Sequence, residues 1–127
     1  MINKVRTGLM ILVGIINFLP VLAVTSIDRL AFAYDIDVSG PDMEILLRHR
    51  ALMFGILGGF IIYAAFKPAL RNAALWMAFI SMAGFVILAG MVGGYNASMQ
   101  SVVNMDFLAL AALVVIVVLN ILQKMAD

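Results

Sequence analysis

The sequence has no cysteine and one histidine, His49. The missing thiols exclude cysteine nucleophiles, thiolate metal sites and disulfide exchange, and a single imidazole is too little for a conventional transition-metal site. Charge is scarce too: 12% of the 127 residues are Asp, Glu, Lys or Arg, against about 25% in a soluble domain. The formal net charge of +1 comes without a basic run, so nothing engages a nucleic-acid backbone. There is no G-x-x-x-x-G-K-[ST] loop, H-E-x-x-H helix or G-x-S-x-G elbow. No chain of carboxylates crosses an apolar stretch, which excludes a proton relay. Asn17 is the one polar group placed at mid-depth, whereas substrate-translocating transporters generally set several there.

What the chain does have is apolar residues, 65% of the total, where soluble domains have about 45–50%. A chain this small has too much surface to hide that much apolar matter from water. The expected class is all-α: an integral membrane four-helix bundle, a single transmembrane domain over 1–127. A hydrocarbon core about 30 Å thick takes roughly 20 helical residues, and the sequence offers spans at about 7–24, 45–66, 73–93 and 104–123. Lys4 and Arg6 precede the first stretch as they would in a secretory leader. Its apolar run, however, exceeds the roughly 7–15 residues of a leader's core, and no A-x-A-like site follows directly on its end at Val24.

Lys4, Arg6, Lys67, Arg71 and Lys124 fall at the N-terminus, the second connection and the C-terminus. Four spans bring these to one side, which the positive-inside rule makes cytoplasmic. The expected location is the bacterial cytoplasmic (inner) membrane, multi-pass, with both termini inside. The other side holds Asp28, Asp35, Asp37, Asp42, Glu44 and Asp106, together with Arg29, Arg48 and Arg50. In the long first connection, Ile27, Leu30, Ala31 and Tyr34 recur at helical spacing after Ser26. The segment 26–40 therefore predicts a short interfacial helix. Gly40-Pro41-Asp42 reads as the next helix start, Lys67-Pro68 as its end, and Gly93-Gly94 as a break.

Depth singles out a polar cluster. The charge-free runs Ala51–Phe66 and Phe107–Leu122 each have 16 residues, about 24 Å of helix. Both fall short of the core thickness, so Arg48, His49 and Arg50 on one helix and Asp106 on another are drawn to one level at the outer edge. Asn104, Tyr95 and Asn96 lie near the same level, and Glu44 stands one turn from Arg48. Three readings stay open: arginines anchored on lipid headgroups, an Arg50–Asp106 ion pair locking two helices, or a ligand site. Asn17, with Pro20 three residues on, predicts a kink and a hydrogen bond across helices or to a ligand. The candidate ligand-binding residues are thus Arg48, His49, Arg50, Asp106, Asn104, Tyr95, Asn96 and Asn17. No catalytic residue, metal ligand or cofactor is assigned.

Small residues mark close helix contacts. Ala51, Gly55, Gly59 and Tyr63 recur every fourth residue, and Gly90 and Gly94 form a second pair. The stripe is expected to serve packing within the chain, with a homo-oligomer through the Gly55/Gly59 or Gly90/Gly94 faces as the alternative. Tyr63 and Trp76 read as an interfacial aromatic belt.

The segment Glu44–Pro68, EILLRHRALMFGILGGFIIYAAFKP, together with VGGYN at Val92–Asn96, resembles a group of small four-helix inner-membrane proteins of proteobacteria. Some of these carry the name phosphopantetheine adenylyltransferase. That chemistry belongs to a soluble α/β enzyme with an H-x-G-H-type motif, and here His49 is followed by Arg50 and Ala51. The architecture is also loosely similar to DoxX-like membrane proteins, which implies a fold and no function. The expected role is non-enzymatic: an accessory, interaction or small-ligand and lipid-binding protein. Its partners would be membrane lipids and an anionic small ligand, and no nucleic acid. The alternative is a membrane enzyme or carrier acting on a lipid-like or anionic molecule, with His49 as acid/base and Asp106 orienting it.

Overall fold

The computed structural model describes residues 1–126. Their order is α1 (Ile2–Phe18), a 3₁₀ segment (Leu19–Ala23), α2 (Ile27–Tyr34), α3 (Pro41–Ala65), a single 3₁₀ turn (Pro68–Leu70), α4 (Arg71–Val92) and α5 (Ala97–Ala126). Four segments are long and apolar enough to cross a membrane: Ile2–Ala23, Pro41–Ala65, Pro68–Val92 and Ala97–Ala126. Phe32, Val92, Ile80 and Trp76 are 88, 81, 66 and 65% exposed. The large apolar side chains thus point outward as well as inward, as in a bundle solvated by lipid rather than water.

Local chemistry sets the boundaries. Pro20 has no N–H for the Ile16 carbonyl, and α1 tightens there into the 3₁₀ segment that ends at Ala23. The Ser26 hydroxyl then caps α2 by accepting from the Arg29 N–H at 3.4 Å. Asp35 closes α2 in the left-handed conformation (φ 50°), with the Ile36 N–H returning to the Ala31 carbonyl. The first connection thus holds one helix of eight residues, shorter than the segment 26–40. Pro41 opens α3, with Asp42 and Glu44 in its first turn. Lys67 is extended ahead of Pro68. Gly93 and Gly94, at φ 64° and 67°, turn the chain between α4 and α5 in a conformation that side chains with a Cβ disfavour.

Two helices start well before the expected spans, α1 at Ile2 rather than 7 and α5 at Ala97 rather than 104, while α3 opens at Pro41 as Gly40-Pro41-Asp42 predicts. The 30 residues of α5 are about 45 Å long. Asp106 is therefore well inside a helix and not at its tip.

Helix α1 packs along α3 and α5, and α4 packs on α5 and α3. Met10, Val13, Ile61, Met82 and Ile116 fill the core among a set of alanines: Ala64, Ala65, Ala74, Ala78 and Ala109. The tightest approach is α1 on α3. A Cβ at Gly58 would lie 2.5 Å from the Phe18 nitrogen and 2.6 Å from the Gly14 carbonyl oxygen. One at Gly55 would lie 2.5 Å from Val21 Cγ2. This corrects the expected stripe: the contact runs through Gly55 and Gly58, while a Cβ at Gly59 would meet nothing within 4 Å. Gly90 also faces open space, and Gly94 lies beyond the end of α4. The two do not form a face on one helix.

The Arg6 guanidinium on α1 donates to Asn120 Oδ1 at 2.7 Å and Gln123 Oε1 at 3.3 Å on α5. Both ends of the described chain therefore lie at one end of the bundle, called here the terminal end. Helix α2 covers the opposite end, with Leu30 and Tyr34 buried beside Ala51 of α3.

Candidate functional site

Beneath α2, a cavity of about 370 Å³ separates α1, α2, α3 and α5. Its apolar wall includes Ile16 from α1, Leu19 and Pro20 from the 3₁₀ segment, Phe54 from α3 and Met105 from α5. Its polar groups are Asn17, Tyr34, Arg50, Ser98, Ser101 and Asp106. The 3₁₀ segment that Pro20 imposes supplies Leu19 and Pro20 to this wall while still packing along α3 through Val21 against Gly55.

The structure brings Arg50 and Asp106 to the same cavity and does not join them. Among the described residues the one ion pair within 4.0 Å is Arg48–Glu44, at 3.0 Å. The expected Arg50–Asp106 pair is thus corrected. Arg50 has another partner set. Its guanidinium carbon lies 4.9 Å from the Phe54 ring centre, 5.3 Å from Phe85 and 5.4 Å from Tyr34. Its NH1 donates to the Tyr34 hydroxyl at 3.1 Å. Three electron-rich faces and a hydroxyl hold the cation away from the carboxylate, each contact contributing about 0.5–2 kcal/mol in a partly dry site. The carboxylate of Asp106, half-buried, accepts no hydrogen bond from the described residues.

Asn17 is 3% exposed. Its amide nitrogen donates to the Val13 carbonyl at 2.9 Å and approaches Met82 Sδ of α4 at 3.7 Å. The hydrogen bond is mainly to its own helix, with a weak contact across. Its Oδ1 takes no donor from the protein and lines the cavity with Arg50 and Asp106.

The other candidates stand apart. Arg48 is exposed and clamped, donating from Nε to the Val24 carbonyl at 2.8 Å and from NH1 to Glu44. That clamp fixes the entry to α2. His49 is exposed on the face of α3 away from the cavity wall, since adjacent helical residues lie about 100° apart. Asn104 is exposed and accepts from Gln100 Nε2 at 2.9 Å. Tyr95 is 37% exposed and outside the cavity wall. Asn96 is a structural staple. Its Oδ1 caps α5 by accepting from the Met99 N–H at 2.7 Å, and its amide donates to the Tyr34 and Asp35 carbonyls, both at 2.8 Å. It holds the end of α2 over the cavity without entering it.

Tyr34, Phe54, Phe85, Ser98 and Ser101 are the site residues that sequence reasoning missed. Phe54 was within reach, standing one helical turn after Arg50 on the same face. Tyr34 and Phe85 come from other helices, and no spacing in the chain links them to Arg50.

Comparison with protein-family models, with curated proteins and with solved structures finds no match to this chain.

Proposed function

We propose that this multi-pass protein is a non-enzymatic binder of a small amphipathic molecule in the membrane, and that the cavity beneath α2 is its site. The observation carrying this is a pair of opposite charges on one cavity that do not pair with each other. Separated charges in a medium of low dielectric favour whatever brings a counter-charge to each. A head offering an acceptor to Arg50 and a donor or cationic group to Asp106 does so, while Asn17 Oδ1 takes a further donor. The apolar wall of Ile16, Leu19 and Phe54 suits the attached chain, and the volume is in the range of small-molecule sites, about 300–1,000 Å³.

This changes the expected ligand. Arg48 is engaged elsewhere, so the cationic excess that favoured a purely anionic ligand is absent at the cavity. One arginine and one aspartate favour a zwitterionic or donor-plus-acceptor head. The enzymatic alternative needs His49 beside Asp106, and His49 does not line the cavity. Placement in the bacterial cytoplasmic membrane, with both termini inside and α2 on the outer interface, follows from the charge distribution of the sequence and is part of the same proposal.

Native mass spectrometry of protein purified with its lipids tests the reading. The wild type should retain a small-molecule adduct at collision energies that strip bulk lipid, and Arg50→Gln and Asp106→Asn, verified as helical by circular dichroism, should lose it. A wild type without an adduct, or adducts equal in all three proteins, contradicts it.

A further inference from the structure

The terminal end carries a second arrangement, independent of the cavity. Arg6 of α1 and Arg71 of α4 both stand there, Arg6 by its bonds to Asn120 and Gln123 of α5 and Arg71 by its bond to the Ala65 carbonyl at the end of α3. All their protein partners are neutral: Asn3, Asn120 and Gln123 for Arg6, and the Ala65 carbonyl, at 2.7 Å, for Arg71. The Nε of each is buried without a partner. No acid of the described residues neutralises them, because the acids from Asp28 to Glu44 and Asp106 belong to the opposite half of the bundle. The remaining carboxylate side chain, Asp127, is outside the described residues. Two part-buried guanidinium groups without an acid beside them make this end of the bundle cationic.

A groove between α4 and α5 leads to this place. It has a volume of about 670 Å³ and an apolar floor that includes Leu75, Phe79, Val114 and Val117. Its polar rim is Asn72, Asn120 and Lys124. Asn120 is both a rim residue and the acceptor for Arg6, so the groove ends beside the Arg6 side chain. Apolar along its length and cationic at one end, the groove has the charge and polarity pattern of an anionic phospholipid. We infer that such a lipid occupies it, with an acyl chain along Phe79 and Val114 and its phosphate at the end bearing Lys124, Arg6 and Arg71.

The chain supplies its own reporter. Trp76, its only tryptophan, lines the groove. The full-length protein is reconstituted in phosphatidylcholine vesicles, and Trp76 fluorescence is followed as chain-brominated phosphatidylglycerol or chain-brominated phosphatidylcholine is added. The anionic lipid should reach half-maximal quenching at a mole fraction at least about fivefold lower, the factor expected from one well-placed cationic side chain. Lys124→Gln, a change at an exposed residue, should remove most of that preference, as should Arg71→Gln. Lys4→Gln, at the same end but off the groove, should keep it. Filling the groove with Val117→Phe should reduce the preference with every charge in place. Several results overturn the inference. Equal quenching by the two lipids does so, as does Lys4→Gln acting as strongly as Lys124→Gln, which signals diffuse attraction. A preference abolished by inorganic phosphate at constant ionic strength assigns the site to free anions. A dimer with Trp76 shielded from both lipids assigns the groove to a second copy.

Discussion

Arg50 and Asp106 line one cavity but form no ion pair within 4.0 Å, because Arg50 is held over the rings of Phe54, Phe85 and Tyr34. A guanidinium satisfied by aromatic faces keeps its full charge, while its hydrogen-bond donors remain largely unused. Only NH1 is engaged, on the Tyr34 hydroxyl. The aromatic cage therefore positions a cation without neutralising it, which a salt bridge would not do.

Double-mutant cycles separate these partners. Arg50→Gln combined with Phe54→Leu should show a coupling of about 0.5–2 kcal/mol in reversible detergent unfolding. Arg50→Gln combined with Asp106→Asn should show the smaller coupling. If exchanging the two charges, Arg50→Asp with Asp106→Arg, restores most of the stability lost in each single variant, the two residues pair directly and the cage is secondary.

The α1–α3 contact predicts opposite outcomes for adjacent glycines. Gly58→Ala drives a methyl into the backbone of Phe18 and Gly14 and should cost about 1–3 kcal/mol or more. Gly59→Ala meets open space and should be neutral or stabilising by up to about 1 kcal/mol, as alanine is the better helix former. Thermal unfolding of the two variants in one detergent is sufficient. Equal losses would mean that the helix is rotated from the position described.

These glycines also mark what the sequence could and could not reveal. Composition and apolar run length suffice for four spans, and Ser26, Pro41, Pro68 and Gly93-Gly94 mark most boundaries through chemistry that acts within a few residues. A four-residue repeat identified a close-packed stripe yet selected Gly59 over Gly58. The face a helix turns inward depends on its neighbours, which spacing within one helix does not encode. Arg50 shows the same limit. The charge-free run after it singles it out as a candidate, whereas its cage draws on α2 and α4 as well as its own helix. The start of α5 at Ala97 was missed because Ser98, Gln100 and Ser101 interrupt the apolar run, and the cap from Asn96 is not visible in the spacing.

Asn96→Ala removes that cap and both bonds to the end of α2. Stability should fall by about 1 kcal/mol, typical of a lost cap. Hydrogen exchange should rise first at the start of α5 and at Tyr34–Ile36, with the core of α1 unaffected. Protection unchanged at both places would remove Asn96 as the staple.

The proposed topology rests on the charge distribution and on both ends of the described chain lying together. Reporter fusions after residue 127 and within the connection 36–40 should report opposite sides of the membrane, the first cytoplasmic. Signals from one side would refute the four-span arrangement.

The central claim is that Arg50 and Asp106 select the head of one bound molecule from two sides. Native mass spectrometry with competing lysophosphatidylethanolamine and lysophosphatidylglycerol tests this most directly. The wild type should retain the zwitterionic amphiphile in preference. Asp106→Asn should shift the preference to the anionic one, and Arg50→Gln should weaken both. The same ratio of the two adducts in all three proteins would contradict it.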